Sequence, residues 1–169
     1  MKHLFFYETK LGTVGFAENG KAITHVIFGS DFHTENYEQK ETPLLKEAAK
    51  QLNEYLDGKR KWFDLPYDAT GTPFQHSVWD ALKNIPYGET RSYLQIAVQI
   101  GKPKACRAVG MANNKNPLPI LIPCHRVIGS NGNLVGYGGG MEIKKMLLTL
   151  FQTVDKDISI FAYSFFYIM

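Results

Sequence analysis

The sequence predicts an α+β chain: a small N-terminal sheet with one helix, then a mainly helical domain containing a helix-turn-helix. Three observations carry this. Short β-branched and aromatic runs separated by turn residues fill the first thirty positions. Apolar residues recur at helical spacing from Pro43. Beyond residue 71 the strongly periodic segments are all helical.

Residues 4–8, 12–17 and 22–28 read as strands, separated by Thr9-Lys10-Leu11-Gly12 and Glu18-Asn19-Gly20-Lys21. The Asn-Gly pair favours a tight hairpin because both residues tolerate positive φ. Residues 30–41 are polar and read as loop. Thr42-Pro43 then supplies an N-cap and a first-turn proline. Leu44, Leu45, Ala48, Ala49, Leu52, Tyr55 and Leu56 form one apolar helical face, and Gly58 ends it. Residues 62–65 read as a further strand and 68–71 as a linker. The domain boundaries follow: 1–70, 71–150, and an atypical C-terminal tail at 151–169.

Thr72-Pro73-Phe74-Gln75 has capping-box form, with Phe74, Val78, Ala81, Leu82 and Ile85 along one face. Pro86-Tyr87-Gly88 breaks that helix. Ser92-Tyr93-Leu94-Gln95 starts the next, with Leu94, Ala97 and Ile100 inward, and Gly101-Lys102-Pro103 turns the chain into a helix over 104–113. Two short helices about a glycine-containing turn make the helix-turn-helix pattern, a weak signal by itself. The last helix covers 142–150, with Ile143, Met146, Leu147 and Leu150 as its apolar face.

At 169 residues, 44% apolar and 21% charged, the chain is neither a disordered tail nor collagen-like. A formal charge of +3 is compatible with a polyanionic partner without establishing one. Two cysteines, Cys106 and Cys124, make no disulfide framework. Residues 1–8 break into charge before any signal-peptide core develops. The most apolar stretch, 158–169, is twelve residues, against about twenty for a membrane span. The expectation is a cytoplasmic protein with reduced thiols and no membrane segment.

Chemistry concentrates in 116–127, where the apolar run 120–122 is bounded by prolines and ends on Cys124, His125 and Arg126. A buried cysteine is ordinarily inert. Here a neighbouring imidazole and guanidinium both favour thiolate, although adjacent side chains on a strand point apart, so adjacency alone makes no Cys-His hydrogen bond. Paired-ligand spacing for a structural zinc site is missing. Cys106, between Ala105 and Arg107, reads as a small packing residue. His3, His25, His33 and His76 are scattered and read as ordinary surface or strand positions.

Pro123-Cys124-His125-Arg126-Val127, preceded by Asn116-Pro117 and followed by Gly136-Tyr137-Gly138-Gly139-Gly140, resembles the methylated-DNA–protein-cysteine methyltransferases, the O6-alkylguanine-DNA alkyltransferases. The likeness extends upstream through Thr72-Pro73-Phe74-Gln75, Ile85-Pro86-Tyr87-Gly88-Glu89-Thr90, Ser92-Tyr93 and Arg107-Ala108-Val109-Gly110, covering roughly 71–150. It implies a ribonuclease H-like N-terminal domain and single-turnover repair of O6-alkylguanine in double-stranded DNA. By the same resemblance, Cys124 takes the alkyl group irreversibly and His125 deprotonates it through a water. Tyr93 protonates the leaving guanine, and Asn116 organises the active-site turn. Tyr137, Gly138, Gly139 and Gly140 line the base pocket. The helix over 104–113 enters the minor groove by its small residues Ala105, Ala108 and Gly110. Arg107 fills the gap left by the flipped base, and Lys104 and Arg126 are further DNA contacts. A monomer suffices, and no cofactor is implied. Larger members of the family carry an N-terminal zinc site. This chain has no cysteine before Cys106 and is expected to bind no metal.

One departure stands out. The family's histidine is oriented by an acid, normally glutamate, just after the final Leu-Leu-x-Leu-like stretch, whereas here Leu147-Leu148-Thr149-Leu150 is followed by Phe151. Either the tail is an altered C-terminus on an otherwise intact member, or Asp155 or Asp157 folds back in the acid's place. An orienting acid is worth up to about four orders of magnitude in rate in serine triads. A lesion-recognising DNA-binding protein with impaired transfer is therefore the alternative reading. An ordinary Cys-His thiol hydrolase, turning over repeatedly on acyl substrates, is a more distant third.

Overall fold

The Asn-Gly turn folds as its residues dictate. Gly20 adopts φ +89°, and Asn19 Oδ1 accepts the Lys21 and Ala22 amides at 3.0 Å each. It joins β2 (Gly12–Glu18) to β3 (Ile23–Phe28), and β1 (His3–Thr9) pairs antiparallel with β2 on the other side. Phe6 faces Gly15 in that register, and a Cβ at Gly15 would come within 2.7 Å of the ring, so the aromatic fills the space the glycine leaves. The computed structural model describes residues 1–154, with side chains through Leu150.

The polar stretch 30–41 is not wholly loop. Glu38–Gln39 forms β4, which adds parallel to β1 and completes a sheet of order β3-β2-β1-β4. Helix α1 (Pro43–Leu56) starts where Thr42 Oγ1 accepts the Leu45 amide at 3.3 Å. It buries Leu45, Ala48, Ala49, Leu52, Tyr55 and Leu56. Residues 62–65 do not form the expected strand. Asp64 is held instead by Gln51, whose carboxamide donates to its carbonyl at 3.0 Å and accepts from its amide at 2.9 Å. The backbone beyond pairs with Ile23, through Pro66 O and Asp68 N at 2.9 Å each.

By contact, the chain divides into two units. Met1–Thr72 clusters with Asn116–Ile122, and Pro73–Lys115 clusters with the described residues from Pro123 onward. The excursion of 116–122 into the first unit has a local cause, since the Val26 amide donates to the Pro117 carbonyl at 2.9 Å.

The second unit comprises α2 (Pro73–Lys83), β5 (Arg91–Ser92), α3 (Tyr93–Gln99), α4 (Cys106–Asn114), a 3-10 turn (Cys124–Arg126), β6 (Val127–Ile128) and α5 (Met141–Val154). Its apolar interior includes Val78, Leu82, Ile96, Val109, Val127 and Leu147. Ser92 caps α3 with a full capping box to Gln95. The inward face of α3 is Ile96 and Ala97; Leu94, expected inside, is 44% exposed, because the stripe runs from the half-buried Tyr93 through Ile96 and Ala97, starting one position earlier. Helix α4 begins at Cys106 rather than at residue 104, leaving Lys104 and Ala105 ahead of its first turn. Helix α5 continues past Leu150 to Val154, so the expected tail starts as helix. Asp155, Asp157 and the aromatic run 158–169 lie outside the described residues. Among the described residues, no helix is long and apolar enough to cross a membrane.

Candidate active site around Cys124

Two short elements bring the reactive groups together. Strands β5 and β6 pair in parallel, Arg91 with Val127 and Ser92 with Ile128. This sets Tyr93, the first residue of α3, beside the end of the Cys124–Arg126 turn. Because Cys124 and His125 lie on a 3-10 turn and not on a strand, the argument that their side chains diverge does not apply. Both are buried, Cys124 at 3% and His125 at 0% exposure. Neither Cys124 nor Cys106 is in a disulfide.

The turn is held by side chains from three directions. Asn113, at the end of α4, donates its Nδ2 to the Cys124 carbonyl at 3.2 Å. Arg126 Nη1 donates to the Ile85 carbonyl at 2.8 Å, and its guanidinium lies 5.6 Å from the Tyr87 ring centroid. Lys144, fully buried on α5, donates to the carbonyls of Val127 at 2.7 Å, Val135 at 3.2 Å and Gly136 at 3.3 Å. Trp79 supports α4 from α2, its indole N–H donating to the Ala112 carbonyl at 2.9 Å.

The segment ahead of the turn carries backbone strain. Ile120 is β-branched, buried and at φ +75°, a conformation that costs about 1–3 kcal/mol in a side chain of this kind. Asn116 spans it. Its Nδ2 donates to the Ile122 carbonyl and its Oδ1 accepts the Leu118 amide, both at 2.9 Å. The chain therefore enters Pro123-Cys124 from a turn whose two ends one carboxamide ties together.

The electrostatics are cationic. Burial pushes His125 well below the usual imidazole range, and the charges of Arg126 and Lys144 push the same way. Burial lowers Lys144 to about 8, against an opposing pull from Cys124. Burial raises Tyr93, the Cys124 charge adds to that rise, and a hydrogen bond from Asn113 opposes it. A buried thiol flanked by a neutral imidazole, a buried ammonium and a protonated phenol suits a nucleophile that gains little from water.

Of the residues singled out in the sequence, Cys124 and His125 lie on the 3-10 turn and Tyr93 begins α3 beside it, while Asn116 ties the Leu118–Ile122 segment that precedes the turn in the chain. Tyr137, Gly138, Gly139 and Gly140 follow in the loop whose Val135 carbonyl accepts the Tyr93 hydroxyl at 3.0 Å. Gly136 and Gly140 take positive φ there. Arg107 and Ala108 are exposed on α4, Lys104 is exposed just before it, and Ala105 is half-buried. Arg126 is a correction. It is 7% exposed and turned onto Ile85 and Tyr87, so its guanidinium ties the turn internally and is not presented to DNA. Cys106, expected to be packed, is partly exposed on the first turn of α4. Asn113, Lys144 and Trp79 were missed. For Lys144 a signal existed, because it stands three and four residues before the buried Leu147 and Leu148 and so shares their helical face. Among the described residues, no three His, Cys, Asp or Glu side chains converge as a metal group would.

Residues 3–69 match the family described as 6-O-methylguanine DNA methyltransferase, ribonuclease-like domain, and residues 73–151 its DNA binding domain. The constitutive methylated-DNA–protein-cysteine methyltransferase of Bacillus subtilis is 51% identical over 157 residues, covering 89% of this chain and 95% of that protein. The methylated-DNA–protein-cysteine methyltransferase of Methanosarcina barkeri is 50% identical, covering 85% and 92%. Among solved structures, the Mycobacterium tuberculosis O6-methylguanine methyltransferase superposes with a TM-score of 0.83 at 42% identity, covering 90% of this chain and 94% of that one. Mycobacterium tuberculosis OGT in complex with DNA gives a TM-score of 0.84 at 43% identity, covering 89% and 93%. With 51% identity across nearly its whole length, the chain belongs to the 6-O-methylguanine DNA methyltransferase family.

Proposed function

We propose that this chain repairs DNA directly, moving the alkyl group of O6-alkylguanine in a duplex onto its own Cys124, once per molecule and irreversibly. The observation that carries the reading is the buried Cys124 turn, with His125 next to it and Lys144 and Tyr93 within electrostatic reach. His125 is neutral at physiological pH, so it is able to accept the thiol proton. The thiolate then attacks the alkyl carbon. The S–C bond forms, the C–O6 bond breaks, and the electron pair leaves with guanine. Tyr93 supplies the proton that neutralises the departing base and is reprotonated from water. The order of events favours that step. Cys124 loses its charge as the thioether forms, and with it goes one of the causes that raise the Tyr93 pKa.

On the DNA side, a guanine inside the stack is unreachable and has to be flipped out. The exposed face of α4, with Arg107 and Ala108, is the element we assign to the minor groove, with Lys104 and Ala105 just before it. Arg107 fills the vacated stack. Tyr137 and the glycines at 138–140 form the pocket loop, where absent side chains let backbone approach the base closely. In this reading residues 71–150 hold catalysis and DNA binding, and 1–70 form the ribonuclease-like N-terminal domain. The protein works in the cytoplasm as a monomer, and the reaction needs only protein groups and the lesion.

Phe151 supports a second reading, a lesion binder with slowed transfer. Position 151 follows the Leu147-Leu148-Thr149-Leu150 stretch, where the resemblance implies an acid that orients the histidine, and phenylalanine supplies no carboxylate. Intact mass after incubation with excess duplex carrying one O6-methylguanine separates the two. Direct repair predicts a single methyl gain mapped to Cys124, lost in Cys124→Ala while lesion binding persists. Binding without mass gain in the wild type would favour the second reading. Phe151→Glu is then expected to raise the transfer rate by roughly tenfold or more, within the range an oriented general base supplies.

A further inference from the structure

Among the described residues of the second unit, Lys144 is the one fully buried ammonium, and the proposed reaction gives it no proton to carry and no bond to make. Its placement is specific. An ammonium has three N–H donors, and three backbone carbonyls accept from this one: Val127 on β6, and Val135 and Gly136 on the loop before α5. Val127 follows the Cys124–Arg126 turn directly and pairs with Arg91, two residues before Tyr93. The Val135 carbonyl accepts a second donor, the Tyr93 hydroxyl, at 3.0 Å. One oxygen thus takes both the buried cation and the proton donor of the reaction.

We propose that Lys144 is a positioning residue for alkyl transfer, pinning the 127–136 loop by its carbonyls and fixing the Tyr93 hydroxyl through the Val135 oxygen they share. The inference rests on the reading of Tyr93 as proton donor and extends it to the residue that aims it. A carbonyl has two lone pairs and accommodates both donors. A carbonyl already polarised by an ammonium binds the phenol less tightly, so Tyr93 is held in place yet readily exchanges this acceptor for the leaving base. The electrostatic link to Cys124 points the same way, since a buried ammonium steadies a neighbouring thiolate until it reacts. A purely structural lysine would be replaceable by an apolar residue of similar volume with no selective loss in chemistry.

The test is a double-mutant cycle on the full chain, reading single-turnover methylation of Cys124 from a duplex with one O6-methylguanine, with the affinity for that duplex and the urea midpoint measured alongside. Tyr93→Phe and Lys144→Met are each expected to slow transfer by roughly tenfold or more, with lesion affinity within about threefold of wild type. If Lys144 acts through Tyr93, the double variant is no slower than the slower single variant. Rate losses that multiply would overturn the proposal. Amide exchange over 129–136 gives a readout independent of activity. Lys144→Met should exchange there at least about tenfold faster, and unchanged protection would overturn the pinning role. Lys144→Gln, which retains a donor, replaces Lys144→Met if the latter does not fold, and is held to the same two criteria. A wild-type chain that gains no methyl would refute the functional reading itself, a result seen without any variant.

Discussion

Among the described residues of the first unit the buried polar side chains are Glu18, Gln51 and Asn116, and each closes backbone, Asn116 between Leu118 and Ile122. Glu18 accepts the Gly20 amide at 2.6 Å and meets His3 at 2.5 Å. Gln51 clamps Asp64 from both sides. In the second unit the buried set includes His125, Arg126 and Lys144, and the two cations reach neutral carbonyls at Ile85, Val127, Val135 and Gly136. Polar burial in the first unit restores hydrogen bonds that a loop would otherwise lose. In the second it keeps positive charge next to a cysteine, at a desolvation cost that folding alone would not require. The first arrangement serves architecture, and the second suits the reactivity proposed for Cys124.

Breaking the second arrangement should cost the most. Arg126→Met leaves the Ile85 carbonyl without its cationic donor and is expected to destabilise the chain by about 2–4 kcal/mol. Urea unfolding at pH 7.5 measures this, and a loss below about 0.5 kcal/mol would mean that the guanidinium is not the tie described.

Acid probes the same contrast. His125 stays neutral in the folded chain well below the pH at which an unfolded histidine, with pKa near about 6.5, takes up a proton. The unfolded state therefore binds more protons below that pH, and stability falls with a slope approaching about 1.4 kcal/mol per pH unit. His25, lowered by burial and then by Lys2, contributes in the same direction. Unfolding measured between pH 7 and pH 5 should show the decline in wild type and a shallower one in His125→Asn. Stability that is flat across that window would contradict a buried neutral imidazole.

The smallest effect belongs to the first unit. Gln51→Leu removes the clamp on Asp64 and is expected to cost about 1–2 kcal/mol, with the rate of transfer per folded molecule unchanged. A slowed transfer in that variant would show that the two kinds of polar burial are not separable.

How much of this was readable in advance follows from what each signal measures. Thr42-Pro43, the Asn19-Gly20 turn and the Leu45-to-Leu56 stripe are local signals, and α1 and the hairpins formed where they point. Residues 38–39 escaped notice because a two-residue parallel strand depends on a distant partner, β1, and not on its own composition. On α3 a one-position shift of the buried stripe exposed Leu94, a shift that a seven-residue helix is too short to reveal by periodicity. Cys124 and its neighbours stand out as a candidate site in the Pro-Cys-His-Arg-Val run, but the inward turn of Arg126 does not, since it depends on the 3-10 geometry. Lys144 was overlooked because a lysine on an amphipathic helix usually reaches solvent, and only its spacing to Leu147 and Leu148 argued otherwise.

The depth of Cys124 also bears on how long the molecule stays usable. A protein that acts once is at the mercy of every stray electrophile or oxidant that meets its thiol before the lesion does. At 3% exposure, Cys124 is screened from such encounters by its own surroundings, whereas Cys106 sits partly open on the first turn of α4. Oxidative wear should therefore register first at Cys106, leaving the single-use thiol unaged until a flipped base brings the alkyl group to it.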